Sequence, residues 1–267
     1  MAAHDGISST DTDTADSKTA PFGFQKVAVG QKQGLVNTVF DTVARRYDVM
    51  NDAMSGGLHR VWKDAMVSWL APPRRPRAPF RIVDVAGGTG DIAFRIASKI
   101  EKNGTVVVCD INPEMLAVGE DRDRRSLRPR TPCRFVAANA EALPLRDNSA
   151  DVYTIAFGIR NVPRRAVALK EATRVLKRGG RFMCLEFSRV DLPVIDKLYD
   201  LYSFNVIPAM GEAIAGDGEP YRYLVESIRT FPNPGRFAAE IERAGLSHVS
   251  VRMLSGGVAA IHSAFKL

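Results

Sequence analysis

The sequence predicts an α/β protein: helices on both faces of a mostly parallel, doubly wound sheet, closed by an antiparallel hairpin. Three observations carry that prediction. Between Phe80 and Phe187, short apolar runs alternate with helical stretches in a βαβα rhythm. Within it, RIVDVAGGTGD (Arg81 to Asp91) passes from an apolar strand through three glycines into a helix. Near the end, Gly256 and Gly257 separate two strand-like runs, Val249 to Leu254 and Val258 to Phe265.

The elements follow in order. Residues 1–33 read as a disordered tail, rich at the outset in Ser, Thr, Asp and Ala and poor in large apolar residues. The tail carries Asp5, Asp11, Asp13 and Asp16 and no arginine, which argues against a mitochondrial presequence. The folded domain is expected over 34–267. Residues 35–50 form a helix with Val36, Val39, Phe40, Val43 and Tyr47 on one face. Ser55 is placed to cap a second helix that runs through Trp62, Met66 and Trp69 to Leu70 and stops at Pro72 and Pro73. Together these two helices make an N-terminal cap over 34–71.

Strands follow at Phe80–Ala86, Thr105–Asp110, Arg134–Ala137, Val152–Phe157 and Arg181–Phe187. Helices separate them, at Asp91–Ile100, from Asn112-Pro113 onward, and at Arg164–Leu176. Asp91 and Asn112 are placed to cap the helices they open, and Pro113 suits a first turn. Residues 190–230 break the rhythm with a helical insertion rich in aromatics, including Tyr199, Tyr202, Phe204, Tyr221 and Tyr223. It is read either as a lid or as added core. A last helix, Pro234 to Ala244, leads into the closing hairpin.

Composition narrows the class. The chain has 267 residues, 45% hydrophobic and 25% charged, which suits one large α/β domain with additions. Its net charge of +7 sits partly in PPRRPRAP (72–79) and DRDRRSLRPR (121–130). These runs read as solvated surface, or as attraction to an anionic membrane. With no basic stripe interleaved with aromatics, nucleic acid is not an expected partner. Cys109, Cys133 and Cys184 are widely spaced beside apolar runs, so they read as buried free thiols of a cytoplasmic protein. No metal site is expected. No apolar run nears the roughly 20 residues of a membrane span, and no signal peptide is read.

The glycine loop implies a nucleotide. Glycines let the backbone turn sharply and approach a ligand. Asp110 ends the next strand, where an acid accepts hydrogen bonds from both ribose hydroxyls. Gly88-x-Gly90-x-x-Ala93 fits a dinucleotide fold and a methyltransferase equally. The closing hairpin favours the methyltransferase, because dinucleotide dehydrogenases continue with a second βαβ half. The block from Asn139 to Pro144 suits a loop that cups an adenine ring.

Longer strings resemble one family. FDTVARRYDVMNDAMSGGLHRVWKD (Phe40 to Asp64), DVAGGTGDIAFRI, FGIRNV (Phe157 to Val162), RVLKRGGRFMCLEFS, YLVESIRTFP and GGVAAIHSAFKL are similar to the UbiE/MenG ubiquinone and menaquinone C-methyltransferases, over about residues 34 to 267. The chain departs where Ala264-Phe265 replaces an expected Gly-Trp, and at Ala156, where some relatives carry Ser. The resemblance implies a class I methyltransferase fold: a Rossmann-like seven-stranded sheet with an antiparallel last strand. It implies S-adenosylmethionine as cofactor, held by Gly87, Gly88, Thr89, Gly90, Asp110, Asn139, Ala140 and Ala156. It implies a polyprenylated benzoquinol as methyl acceptor, with a naphthoquinol, demethylmenaquinol, as a second substrate. Expected partners are other quinone-biosynthesis enzymes and a second copy of the chain, at a cytoplasmic site peripheral to the inner membrane. The rivals are an NAD-dependent oxidoreductase and a non-catalytic scaffold.

The chemistry selects the catalytic candidates. An aromatic carbon is a poor nucleophile until a ring hydroxyl loses its proton, so the site must align the ring and favour the phenolate. Arg160, after the fourth strand, is the first candidate, stabilising the phenolate or orienting a water; alternatively it pairs with an acid and pins its loop. Asn161 supports that loop. Tyr47 is the second candidate, as cover for the ligands or part of a proton relay; alternatively it is core. His59, Glu186 and His262 are weaker candidates, read chiefly as structural.

Overall fold

The computed structural model describes residues 18–43, 55–126, 131–188 and 219–267. Strands β1 (Thr19–Phe22) and β2 (Gln25–Ala28) pair as an antiparallel hairpin that runs directly into helix α1 (Val29–Val43). This corrects the expected disordered tail over 18–33, residues 1–17 lying outside the described residues, and moves the first helix six residues earlier than 35. Gly30 and Gly34 hid the first turns of α1, because glycine is a weak helix former. Lys32 and Val36, four apart, mark its buried face instead.

Helix α2 (Leu58–Leu70) follows, with His59, Trp62, Met66 and Leu70 on its buried face. The helix is capped at Gly57, in the left-handed region, and not at the expected Ser55, whose hydroxyl accepts from the His59 amide; Ala71, also left-handed, ends the helix before Pro72. Then come β3 (Phe80–Val85), α3 (Asp91–Ala97), β4 (Gly104–Asp110), α4 (Pro113–Arg125), β5 (Cys133–Ala137), β6 (Ala150–Ala156), a 3-10 turn at Ile159–Asn161, α5 (Arg165–Val175) and β7 (Leu176–Phe187). Helices α6 (Glu219–Thr230) and α7 (Pro234–Arg243) lead into β8 (Ser247–Leu254) and β9 (Ala259–Phe265). Most of the expected 190–230 insertion lies outside the described residues. Its end forms α6, which packs against β1, α1 and the 159–161 turn.

The seven strands run in the order β5-β4-β3-β6-β7-β9-β8. β3 to β7 are parallel, and β9 lies antiparallel between β7 and β8. Burial on both faces explains the continuous apolar runs. Ile82, Val106, Val108, Met183 and Leu185 face α2, α3 and α6. Val83, Val85, Val107, Phe182 and Cys184 face α5 and α7. The chain starts at β3, winds outward to β5, then reverses to β6 on the other side of β3. The gap between β3 and β6 is the topological switch point, where open α/β sheets bind ligands at the carboxyl ends of their strands.

Candidate active site

A cleft of about 1010 Å³, counted with its open mouth, lies over those carboxyl ends. The glycine loop forms one wall. Gly87 is required by close approach: a Cβ there would stand 2.6 Å from the Val108 side chain of β4. Gly88 has φ +52 and donates its amide to Asp110 Oδ2 at 2.8 Å. Gly87, Gly88 and Thr89 line the cleft; Gly90 does not, and its role is the left-handed turn (φ +82) that opens α3. Asp91 is the first residue of that helix rather than its cap. Its carboxylate turns to Lys63 Nζ at 2.7 Å and to Arg95 Nε at 3.2 Å.

Asp110 holds the loop from the neighbouring strand. Its other oxygen accepts from the Asn112 amide at 2.9 Å. Burial raises its pKa, against the pull of these amides. Each oxygen keeps a lone pair for a ligand diol. Asn112 caps α4 by accepting from the Met115 amide, as expected. Asn139 and Ala140 line the cleft after β5, with Asn139 Oδ1 held by the Glu141 amide at 2.9 Å. Glu141 in turn accepts from the backbone and guanidinium of Arg164. Ala156 closes the floor at the end of β6. Seven of the eight expected cofactor residues thus converge on one cleft.

Three lining elements were missed. Asp84 sits in β3, fully buried, and lines the cleft wall; its Oδ1 accepts from Thr154 at 2.6 Å, while Oδ2 has no hydrogen-bond partner among the described residues. Burial pushes its pKa up to about 7. The signal was present: an acid inside an otherwise apolar strand. Lys63 of α2 reaches the same cleft, and so do Gln33, Val36 and Asn37 of α1.

Arg160 does not line the cleft. Its guanidinium is buried behind the 3-10 turn, 2.7 Å from Glu186, also bonded to the Phe157 carbonyl and Ser227, and stacked over Phe187. Burial raises the pKa of Glu186, against the opposing pull of Arg160. Asn161 does line the cleft, and its Oδ1 accepts from the Tyr223 hydroxyl of α6 at 3.0 Å. Tyr47 lies outside the described residues. His59 is buried in α2 away from the cleft. His262 in β9 pairs with the Pro234 carbonyl against the edge of Phe237, and burial lowers its pKa to about 4. Burial likewise pushes the Cys109 thiol up to about 12.

Among the described residues the basic runs are largely occupied. Arg74 and Arg75 both bind Glu101, and Arg125 binds Asp121. Arg122 turns inward to the Thr89 hydroxyl at 2.8 Å. Among the described residues no helix is long and apolar enough to cross a membrane, and no cluster of His, Cys, Asp and Glu is placed to hold a metal.

The strand order, the reversed β9 and the glycine loop tied to an acid at the end of β4 define a class I methyltransferase. Residues 12–266 match the ubiE/COQ5 methyltransferase family. The chain is 60% identical to the ubiquinone/menaquinone biosynthesis C-methyltransferase UbiE of Methylobacterium nodulans, over 95% of this chain and 99% of that one. It is 58% identical to the UbiE of a Bradyrhizobium strain, over 94% and 98%. This chain belongs to that family. In fold it is similar to phosphoethanolamine N-methyltransferase 2 of Haemonchus contortus, solved with S-adenosylhomocysteine, at a TM-score of 0.59, 14% identity, and 85% and 60% coverage.

Proposed function

We propose that the chain transfers a methyl group from S-adenosylmethionine to a ring carbon of a polyprenylated benzoquinol, and to demethylmenaquinol. The observation that carries this is the cleft itself: a glycine cradle, a diol acceptor at Asp110 and a buried acid with a free oxygen at Asp84, in a family with such relatives. The cofactor supplies an electrophilic methyl on a sulfonium. Asp110 receives the ribose hydroxyls, and Asp84 Oδ2 accepts the α-ammonium of the methionine moiety. Asn139, Ala140 and the edge of β5 flank the adenine. Ala156 and the Phe157–Gly158 turn set the floor under the reacting carbon.

Arg160 acts one layer behind that floor. Its bonds to Glu186, the Phe157 carbonyl and Ser227 fix the turn from which Asn161 faces the acceptor. It is a positioning residue in this geometry, and Asn161 is the polar group offered to a ring hydroxyl. Tyr47 remains the proposed cover of the acceptor site, and the 190–230 insertion its lid for the prenyl chain. A second copy of the chain, other enzymes of quinone biosynthesis and an anionic membrane surface are the proposed partners.

Arg160→Ala is expected to cut turnover about 100-fold or more while the cofactor dissociation constant moves only a few-fold, because misplacement of the acceptor is costly in rate. Steady-state turnover on a short-chain benzoquinol, with calorimetry of S-adenosylhomocysteine, reads both numbers. Full turnover in that variant would remove Arg160 from the mechanism. No turnover by the wild type on any benzoquinol or naphthoquinol, with cofactor binding intact, would overturn the substrate assignment.

A further inference from the structure

Lys63 is a charged side chain almost wholly buried, at 5% exposure, yet it reaches the cleft wall. Among the described residues its ammonium makes one hydrogen bond, to Asp91 Oδ2 at 2.7 Å. A lysine has three donors, and burying one with donors unused is costly unless a ligand supplies acceptors. Asp91 is not dependent on Lys63 alone. Burial would raise its pKa, but Lys63, Arg95 and Arg122 together hold it below the ordinary range. Arg95 also pairs with Asp64, so three cations face two acids and one positive charge is left over at this end of the cleft. Asp84 lines the same cleft, and its Oδ2 is an acceptor with no donor among the described residues. A buried ammonium with donors left over and a buried carboxylate oxygen without a donor, in one cleft, match the two charges of an α-amino acid.

We infer that Lys63 receives the α-carboxylate of the cofactor's methionine moiety, opposite the ammonium at Asp84. This rests on the cofactor reading above and adds the residue that recognises the amino-acid end. It also explains why α2, an element outside the doubly wound core, contributes a buried lysine to the cofactor cleft.

The test is calorimetry on the full chain with two ligands. S-adenosylhomocysteine carries both charges; S-adenosyl-3-thiopropylamine keeps the ammonium and lacks the carboxylate. Wild type is expected to prefer the first. Lys63→Met is expected to lose about 10- to 100-fold of its affinity for S-adenosylhomocysteine, the usual effect of deleting a hydrogen bond to a charged group. Its affinity for the thiopropylamine should change less than three-fold, and Lys63→Arg should recover part of the loss. Equal weakening for both ligands would make Lys63 a structural partner of Asp91 and overturn the inference. Equal wild-type affinities would overturn it without any variant. If the wild type bound neither ligand, the cofactor reading itself would fall.

Discussion

Asp84 gives the protein a pH response that can be worked out in sign. Its native pKa is about 7, above the ordinary carboxylate value, because burial disfavours the charge. Above pH 7 both the folded and unfolded states ionise it, and the folded state bears the full cost. As pH falls from 7 toward 4, the folded state takes the proton first and that cost is relieved. His262 works in the opposite direction. Held at about 4 by burial, it stays neutral in the fold while the unfolded chain protonates below its ordinary value, so stability is lost as pH falls through that window. Asp84→Asn should therefore be more stable than wild type at pH 8, and the difference should narrow by roughly 3 kcal/mol by pH 5. Urea unfolding at both values measures it; a constant difference would mean Asp84 is ionised throughout. Cofactor binding should also release a proton near pH 7, since an ammonium at Oδ2 favours the carboxylate. Titrations in buffers of different ionisation enthalpy read that release.

Among the elements, the β1–β2 hairpin clasps α6. Phe22 stacks on Tyr223 with ring centroids 4.4 Å apart, the Phe24 amide donates to Glu226, and Tyr223 holds Asn161. Burial keeps the Tyr223 hydroxyl protonated far above its ordinary range, so it remains a donor to Asn161. Phe22→Ala is expected to cost about 1–2 kcal/mol of stability, from the lost aromatic pair and buried area, and to lower turnover more than cofactor affinity. Unchanged stability would show that the hairpin does not brace α6. This element was illegible in the sequence. Its strands are four residues each, Pro21 and Gly23 read as loop, and its pairing partner is local while its anchor is 202 residues away. The central strands were legible because burial on both faces leaves one long apolar run per strand. The cofactor loop was legible because its conformation demands glycine and its partner acid ends the next strand. Lys63 was not, and for Arg160 the sequence offered pairing with an acid as one alternative without saying that the acid is Glu186, since nothing local distinguishes a buried lysine or arginine from a solvated one. Only the fold brings their counter-charges within reach.

At the scale of the whole molecule, the sheet depends on β9. It is an interior strand, paired to β7 through seven residues and to β8 on its other side. Its loss would leave β7 with an open, flat and apolar edge and β8 with no partner in the sheet. A chain cut after Gly257 is therefore expected to aggregate rather than fold, with no cofactor binding in the soluble fraction. Recovery of a soluble, cofactor-binding product would show that the parallel strands suffice. The same placement bears on synthesis. The ribosome delivers the glycine loop and Asp110 when less than half of the chain exists, but the strand that seals the sheet is made after every other strand. Until then β7 must wait with one side unpaired. The protein's dependence on chaperones should be concentrated in that interval, long after its cofactor cradle has left the exit tunnel.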